Sequence, residues 1–423
     1  MGGLTIPALL FADDVVLLAE SSGDLRCLLE TFTEFCNAKG LEINPQKSKI
    51  LKLYDAEDKM EIPIMNIPIN EEVAIKKILT ECENYRYLGL NLDKKGHHFK
   101  THFKQLKQKT ARIVNMIVVF SRNSFDKSLI MRTMWETMAI PAITYGMDIM
   151  PFQKGIAAEL DKQQNQMVKR TMGLPKSFST AGLVGETGLM PFSYRWHIKM
   201  LIYLHRLHHL EPDFHLCRQV YDNIIQDEMK LVNQKRKKGW AFDMLCLCAW
   251  YKIPIENIMI PGLLWEKIVK EKVRDKWMDE WRKKQQERKS PKGFIRRQDP
   301  AWERYLNERG ARDILLLRNN MLMKSVMDKW KSGELKESTC PLCGHSGVLS
   351  DTHVLIECGG TELLRDELRQ QLEEGELDTD IEDIKTYTVL GYSKKLDSKC
   401  PEWSYLTEVG KMVRSKVTRE GVR

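Results

Sequence analysis

Apolar and polar residues alternate in three different textures along this chain. From residue 1 to about 95 the apolar residues come in short runs broken by turn formers, the pattern of strands. Runs 4–11 and 15–19 flank Asp13-Asp14, which predicts a hairpin with two carboxylates at its tip. Runs 41–44, 50–53, 60–64 and 85–92 are further expected strands. One helix interrupts them: Leu25, Leu28, Leu29, Phe32 and Phe35-Cys36 recur at helical spacing, with Asp24 placed to cap the start and Gly40 to end it.

From about 98 to 335 the period changes to three and four, predicting helices over 104–120, 129–147, 160–172 and 194–210, with Gly173-Leu174-Pro175 as punctuation. Beyond 336 lie a compact Cys/His group and an acidic helix over about 361–376. The fold class expected is α+β: a partial β-sheet at the N-terminus, a mainly helical middle and a small Cys/His region.

Composition narrows the partners. A net charge of +8 favours polyanions, but 58 acidic residues stand against 66 basic ones, so charge alone points to nucleic acid only modestly. No apolar run reaches the roughly 20 residues that span a bilayer. The N-terminus has no basic, cleavable leader pattern, and Ile6 occupies the position where a myristoylation motif needs Ser or Thr. Ten scattered cysteines suit reduced thiols, hence a cytoplasmic or nuclear protein.

The Asp13-Asp14 pair is the first chemical candidate. Nucleotidyl transfer needs carboxylate oxygens that hold Mg²⁺ between an attacking hydroxyl and a triphosphate, and a tight turn presents them rigidly. An Asp-Asp after an apolar run is also a common turn signal. The wider context decides between the two. Phe11-Ala12-Asp13-Asp14-Val15-Val16-Leu17-Leu18-Ala19 resembles the C motif of non-LTR (LINE-type) retrotransposon reverse transcriptases. Gly40-Leu41-Glu42-Ile43-Asn44-Pro45-Gln46-Lys47-Ser48-Lys49 is similar to the D motif of that family, and Tyr87-Leu88-Gly89-Leu90 to its E motif, in the family's order. Pro141-Ala142-Ile143-Thr144-Tyr145-Gly146 resembles its thumb signature, and 164–176 the segment that follows.

The resemblance implies a C-terminal portion of such an enzyme: a partial palm over 1–97, a helical thumb over 98–210, a basic helical linker over 211–335, and a zinc knuckle with tail over 336–423. It implies Asp13 as a direct Mg²⁺ ligand, Asp14 as its acidic neighbour and Lys47 beside the leaving pyrophosphate. Lys47 can equally be a solvated strand-end lysine. Tyr87, Leu88 and Gly89 would grip the primer end, or form a plain buried strand in which Leu88 and Leu90 alternate. The resemblance implies an RNA template and DNA primer as partners. It also calls for an earlier palm aspartate, fingers and a B motif, which the ten residues before Phe11 cannot hold, so the chain alone is expected to be catalytically incomplete. A non-catalytic nucleic-acid-binding module and an inert, destabilised half-palm are the rival expectations.

Cys340-Pro341-Leu342-Cys343, His353 and Cys358 form C-x₂-C-x₉-H-x₄-C, a spacing that can close tetrahedrally on Zn²⁺. Unliganded thiols are the alternative, and His345 is a substitute ligand at poorer spacing. Zinc there would supply folding free energy to a region with little other core, and the second ring nitrogen of His353 would want an acceptor. His205, His208 and His209 read as an exposed or interfacial row, Cys246 and Cys248 as core thiols. Basic clusters lie at 235–238 and from Arg282, Lys283 and Lys284 to Arg296-Arg297. Trp265, Trp277, Trp281 and Phe294 interleave, which suits phosphate contact and base stacking. The alternative for the first part of that segment is a solvated helix laced with i,i+4 ion pairs.

Overall fold

The computed structural model describes residues 5–53, 62–66, 75–94, 99–232, 239–286, 304–307, 310–319, 321–322, 340, 342–344, 350–374 and 400–420. Met60, the basic cluster 235–238, Phe294, Arg296-Arg297, Pro341 and His345 lie outside them. The chain is α+β, with short strands first and helices after. It divides into two compact units, 1–108 with 210–242, and 109–209 with 243–423.

In the first unit, β1 (Ala8–Phe11) and β2 (Asp14–Leu17) pair antiparallel with Phe11 opposite Asp14. The hairpin therefore turns on Ala12-Asp13. Helix α1 (Ser22–Ala38) follows. Its cap is Ser21, not Asp24: the Ser21 hydroxyl accepts from the Asp24 amide at 3.1 Å and donates to the Asp24 carboxylate at 2.6 Å. Serine wins because its side chain is short enough to reach the third helical N–H while Asp24 already lies inside the first turn. The other end closes as a Schellman motif, with Leu41 N–H on Cys36 C=O and Gly40 N–H on Asn37 C=O.

Strands β3 (Ile62–Asn66) and β4 (Ile75–Leu79) pair antiparallel, as do β5 (Asn84–Tyr87) and β6 (Leu90–Asp93). The expected single strand over 85–92 is thus a hairpin, because Leu88 and Gly89 both take positive φ (46° and 84°), the geometry of a tight two-residue connection. The strands expected over 41–44 and 50–53 do not form. The Asn44 side chain accepts from the Gln46 and Lys47 amides at 3.0 and 3.2 Å, and this Asx turn diverts the backbone. Ile50 keeps one parallel bridge to Glu81. Leu29, Cys36, Ile43, Ile50 and Leu79 form a small core, against which Leu17, Leu25 and Phe32 pack. Helix α2 (Lys100–Arg122) starts here, its Thr101 amide held by the Asp93 carboxylate at 2.8 Å.

The second unit is helical. The expected helix over 129–147 is broken into α3 (Lys127–Met134), a π-helical turn (Trp135–Ala139) and α4 (Ile140–Thr144). Pro141 lacks an N–H and its ring would crowd the carbonyl four residues back, so the preceding turn widens. Then come α5 (Lys154–Thr171), α6 (Thr180–Thr187) and α7 (Phe192–His208). Helices α8 (Leu216–Val232) and α9 (Trp240–Trp250) follow, α8 belonging to the first unit. Helices α10 (Gly262–Gln286), α11 (Ala311–Arg318), α12 (Glu362–Glu374) and α13 (Pro401–Glu420) complete the chain.

Tryptophans anchor the second unit's core, and three of their indole N–H groups find acceptors at 3.0 Å or less: Trp135 on Gln164 Oε1 (3.0 Å), Trp265 on Leu201 C=O (2.9 Å) and Trp281 on Ala181 C=O (2.9 Å). Trp265, Trp277 and Trp281 are buried. They are core residues of α10 and offer no stacking surface, against the expectation for this segment. Their spacing explains it: 265, 269, 273, 277 and 281 recur every fourth residue and form the buried stripe of a long amphipathic helix that packs on α7. Cys248 is buried and Cys246 half-buried in α9, as core thiols.

Candidate functional site

Three groups of residues carry chemistry. The first is the carboxylate hairpin. Asp13 and Asp14 are both exposed at its tip. Ala12, the first turn residue, has φ +49°, where an L side chain is strained and glycine is the usual choice. Leu10 and Phe11 beside the tip are 73% and 61% exposed, so the hairpin presents an apolar as well as an acidic surface.

Lys47 lies exposed on the Asx turn set by Asn44. The Tyr85 hydroxyl of β5 donates to the Lys47 carbonyl at 3.1 Å. Burial pushes the Tyr85 phenol above its usual range, and the nearby Asp14 charge pushes it the same way. Tyr85 therefore ties the β5–β6 hairpin to the turn of Lys47 and sits within electrostatic reach of Asp14. No local sequence signal marked Tyr85, whose partner is 38 positions away. Tyr87 is half-buried in β5, whereas Leu88 and Gly89 are the turn itself, with Leu88 37% exposed.

The second group is the Cys/His cluster. Cys340, Cys343, His353 and Cys358 bring their ligand atoms within 4.8 Å of one another. Cys340 Sγ is 3.7 Å from Cys358 Sγ, and Cys343 Sγ is 3.4 Å from His353 Nε2. Tetrahedral zinc with bonds of about 2.3 Å to sulfur and about 2.0 Å to nitrogen sets edges of about 3.8 and about 3.6 Å. The four residues fit that ion. Two local devices bring them together. A turn closes Cys340 on Gly344 through Gly344 N–H to Cys340 C=O (2.8 Å), with Gly344 at φ +72°. A π-helical turn (His353–Glu357) lets Cys358 N–H reach His353 C=O at 2.7 Å.

Residues around the cluster hold it. Glu357 Oε2 lies 3.5 Å from His353 Nδ1, the acceptor that the second ring nitrogen needs. Its i+4 spacing from His353 is the signal that could have found it. Arg365 donates to Cys358 C=O at 2.8 Å and to Thr361 Oγ1 at 2.7 Å. Gly360 is required by contact: a Cβ there would stand 2.7 Å from the Leu342 carbonyl oxygen. The region also has its own core, contrary to expectation. Val354, Leu355, Leu368, Leu372, Leu406, Val409 and Val413 are buried as α12 packs on α13 and α13 on α11. The added core comes from α13, which starts at Pro401, well beyond Cys358 in sequence and outside the Cys/His spacing.

The third group is basic. On α10, Lys270 pairs with Glu266 at 2.5 Å and Arg282 with Asp279 at 2.9 Å, while Lys283 and Lys284 are exposed. The Lys284 charge helps to restrain the half-buried Asp161 carboxyl, which desolvation nonetheless raises to about 6. The histidine row grades from inside to outside: His205 is buried, 2.8 Å from Ile260 C=O and stacked on His209 and Trp265, His208 is half-buried and His209 is exposed.

Comparison with known proteins supplies the context. Residues 4–92 match the family model of the reverse transcriptase (RNA-dependent DNA polymerase) domain, a span that holds the carboxylate hairpin, Lys47 and the β5–β6 hairpin. An uncharacterized transposon-derived protein of Caenorhabditis elegans is 22% identical over 177 residues, which is 41% of this chain and 59% of that protein. The N-terminal region is thus similar to a reverse transcriptase domain, and the chain has a distant transposon-derived relative that it spans only in part. No helix among the described residues is long and apolar enough to cross a membrane.

Proposed function

We propose that the chain supplies the final palm segment, the thumb and the zinc knuckle of a non-LTR retrotransposon reverse transcriptase. The observation that carries this reading is the Asp13-Asp14 tip on a strained two-residue turn, with the Lys47 turn and the β5–β6 hairpin linked through Tyr85. Two exposed carboxylates on a rigid turn suit a hard cation, and neither forms an ion pair among the described residues. Mg²⁺ bound there would neutralise charge developing between a primer hydroxyl and a nucleoside triphosphate.

In this reading Asp13 is the direct ligand and Asp14 its acidic neighbour. Lys47, carried on the Asx turn, offsets the charge of the departing pyrophosphate. The Leu88-Gly89 tip, with Tyr87 behind it, abuts the primer end. Lys283 and Lys284 contact phosphates of the template or primer, together with Arg282. The resemblance assigns no residue of this chain to the second metal-holding aspartate or to the nucleotide pocket. The polypeptide of these residues alone is therefore expected not to extend a primer on an RNA template with Mg²⁺. Incorporation that Asp13→Ala abolishes would overturn that expectation.

A second reading, a non-catalytic nucleic-acid-binding module, is favoured by the four Cys/His ligands, of which the Cys340–Cys358 and Cys343–His353 pairs stand near the edge lengths of a tetrahedral zinc site. It expects one equivalent of zinc per chain, lost in Cys343→Ser. Elemental analysis of the purified protein decides it: zinc-free protein, or metal content unchanged in the variant, removes the knuckle from either reading.

A further inference from the structure

The second unit contains a cavity of about 610 Å³ that the carboxylate and Cys/His sites do not use. One wall is a single face of α7: Ile198, Lys199, Ile202, Tyr203 and Arg206 follow at helical steps of three, four and one. The facing wall is a stripe of α10, with Glu266, Lys270 and Arg274 each one turn further along. The two helices pack through their tryptophan-lined faces, and these neighbouring faces are left to line the opening.

The lining is apolar below and cationic around it. Arg195 joins Lys199, Arg206, Lys270 and Arg274, against the carboxylates of Asp148 and Glu266. Glu266 is taken by Lys270 at 2.5 Å. Lys199, Arg206 and Arg274 are exposed and form no ion pair among the described residues. Arg195 Nε donates to Met190 C=O at 3.1 Å, which fixes its guanidinium at the cavity edge. Burial pulls the Arg195 pKa down to about 10, so it remains a cation at neutral pH. Ile198, Ile202 and Tyr203 are half-buried and supply the floor. The volume suits a ligand of one or two nucleotide units.

We propose that this groove binds single-stranded nucleic acid. Phosphodiesters would lie on Lys199, Arg206, Lys270 and Arg274, with a base against Ile198, Ile202 and the Tyr203 ring. Planar guanidiniums favour phosphate through paired hydrogen bonds, and unpaired bases favour a flat apolar floor. An acidic peptide would satisfy the cations but leave the floor bare. The preference for nucleic acid rests on the reading under Proposed function, although the site is separate from the Asp13 hairpin.

The test is fluorescence anisotropy of the full 423-residue chain with a 12-nucleotide oligo(U) over a salt series. Lys199→Glu combined with Arg274→Glu is expected to weaken binding by about 30-fold or more and to reduce the salt slope by about 1.4, two phosphate contacts' worth. Lys162→Glu on α5, outside the groove, is the control and should change little. Equal affinity in the groove variant and the parent, or an equal loss in the control, overturns the proposal. Competition by poly-glutamate as effective as by unlabelled oligo(U) overturns it in favour of an acidic peptide. Ile202→Ala should weaken oligo(U) about three-fold and leave inorganic polyphosphate binding unchanged, and the same loss on both removes the base contact. If circular dichroism shows the double charge reversal unfolded, Lys199→Gln and Arg274→Gln singly carry the test, each expected to cost about three-fold. Primer extension reports on the Asp13 site alone, so each result can fail without the other.

Discussion

Two sets of acidic residues, one in each unit, are handled in opposite ways. In the first unit Asp13 and Asp14 project from a turn into water, on a hairpin whose Leu10 and Phe11 are also uncovered. In the second unit Glu186, Asp313 and Asp161 are turned inward, and each is matched by a particular donor. Glu186 of α6 accepts from Arg318 of α11 at 3.1 Å, with both side chains almost fully buried. Asp313 is paired with Arg414 and Arg312. Asp161 accepts the Phe192 amide at 2.6 Å at the start of α7. A carboxylate left in water at a strained turn contributes little to stability and remains free to bind a cation. A buried carboxylate has given up that freedom and acts as a structural link.

The largest expected effect breaks such a link. Glu186→Ala removes the carboxylate that the buried Arg318 guanidinium donates to at 3.1 Å, and breaking a buried pair costs about 3–5 kcal/mol. Denaturant unfolding followed by tryptophan fluorescence should show a lower midpoint with an unchanged slope, because the second unit holds Trp135, Trp196 and Trp265 in its core. A midpoint shift worth less than about 1 kcal/mol would mean that water reaches Arg318 readily, and the contrast between the units would weaken.

A smaller and pH-dependent effect sits at Asp161. Burial raises its carboxyl to about 6, while its Phe192 hydrogen bond and the Arg195 and Lys284 charges pull the other way. The folded state thus holds this proton more tightly than the unfolded chain, where an aspartate titrates near 3.9. Stability from this group is full below about 4, falls as pH rises through about 6, and is level above it. The loss is about 1–3 kcal/mol, discounting for the part of the side chain that water reaches. Asp161→Asn keeps an oxygen for the Phe192 amide and removes the titration. Melting temperatures across pH 4–7 should slope less in the variant than in the parent, and parallel curves would refute the assignment.

The two regions also differ in how much of them is legible along the chain. The carboxylate tip was readable because its parts are contiguous: apolar run, Asp13-Asp14, apolar run. The Cys/His spacing was readable for the same reason, since the ligands sit in two short knuckles. What the patterns concealed depends on contacts distant in sequence or on single backbone angles. Leu88 at positive φ folds an apparently continuous strand into a hairpin. Asn44 converts an expected strand into a turn through its own side chain. The tryptophans of α10 looked like a stacking surface among cations until their four-residue period met α7. Tyr85, which links the Lys47 turn to the β5–β6 hairpin, has no periodic signature at all.

The smallest expected effect is the most informative about the comparison. Asp13→Ala removes an exposed carboxylate that has no ion-pair partner among the described residues. Substitutions at such surface positions stay within about 0.5 kcal/mol. Removing negative charge next to Asp14 relieves like-charge repulsion, so the change should be neutral or slightly stabilising. The cation should reverse that sign. If Asp13 and Asp14 together hold Mg²⁺, millimolar Mg²⁺ will raise the melting temperature of the parent and leave Asp13→Ala unmoved, because a ligand stabilises only the state that binds it. Differential scanning fluorimetry with and without Mg²⁺ measures both effects on the same pair of proteins. A variant destabilised by more than 1 kcal/mol would place Asp13 among the structural acids, with Glu186 and Asp313. Equal Mg²⁺ responses in the two proteins would separate the hairpin from metal binding.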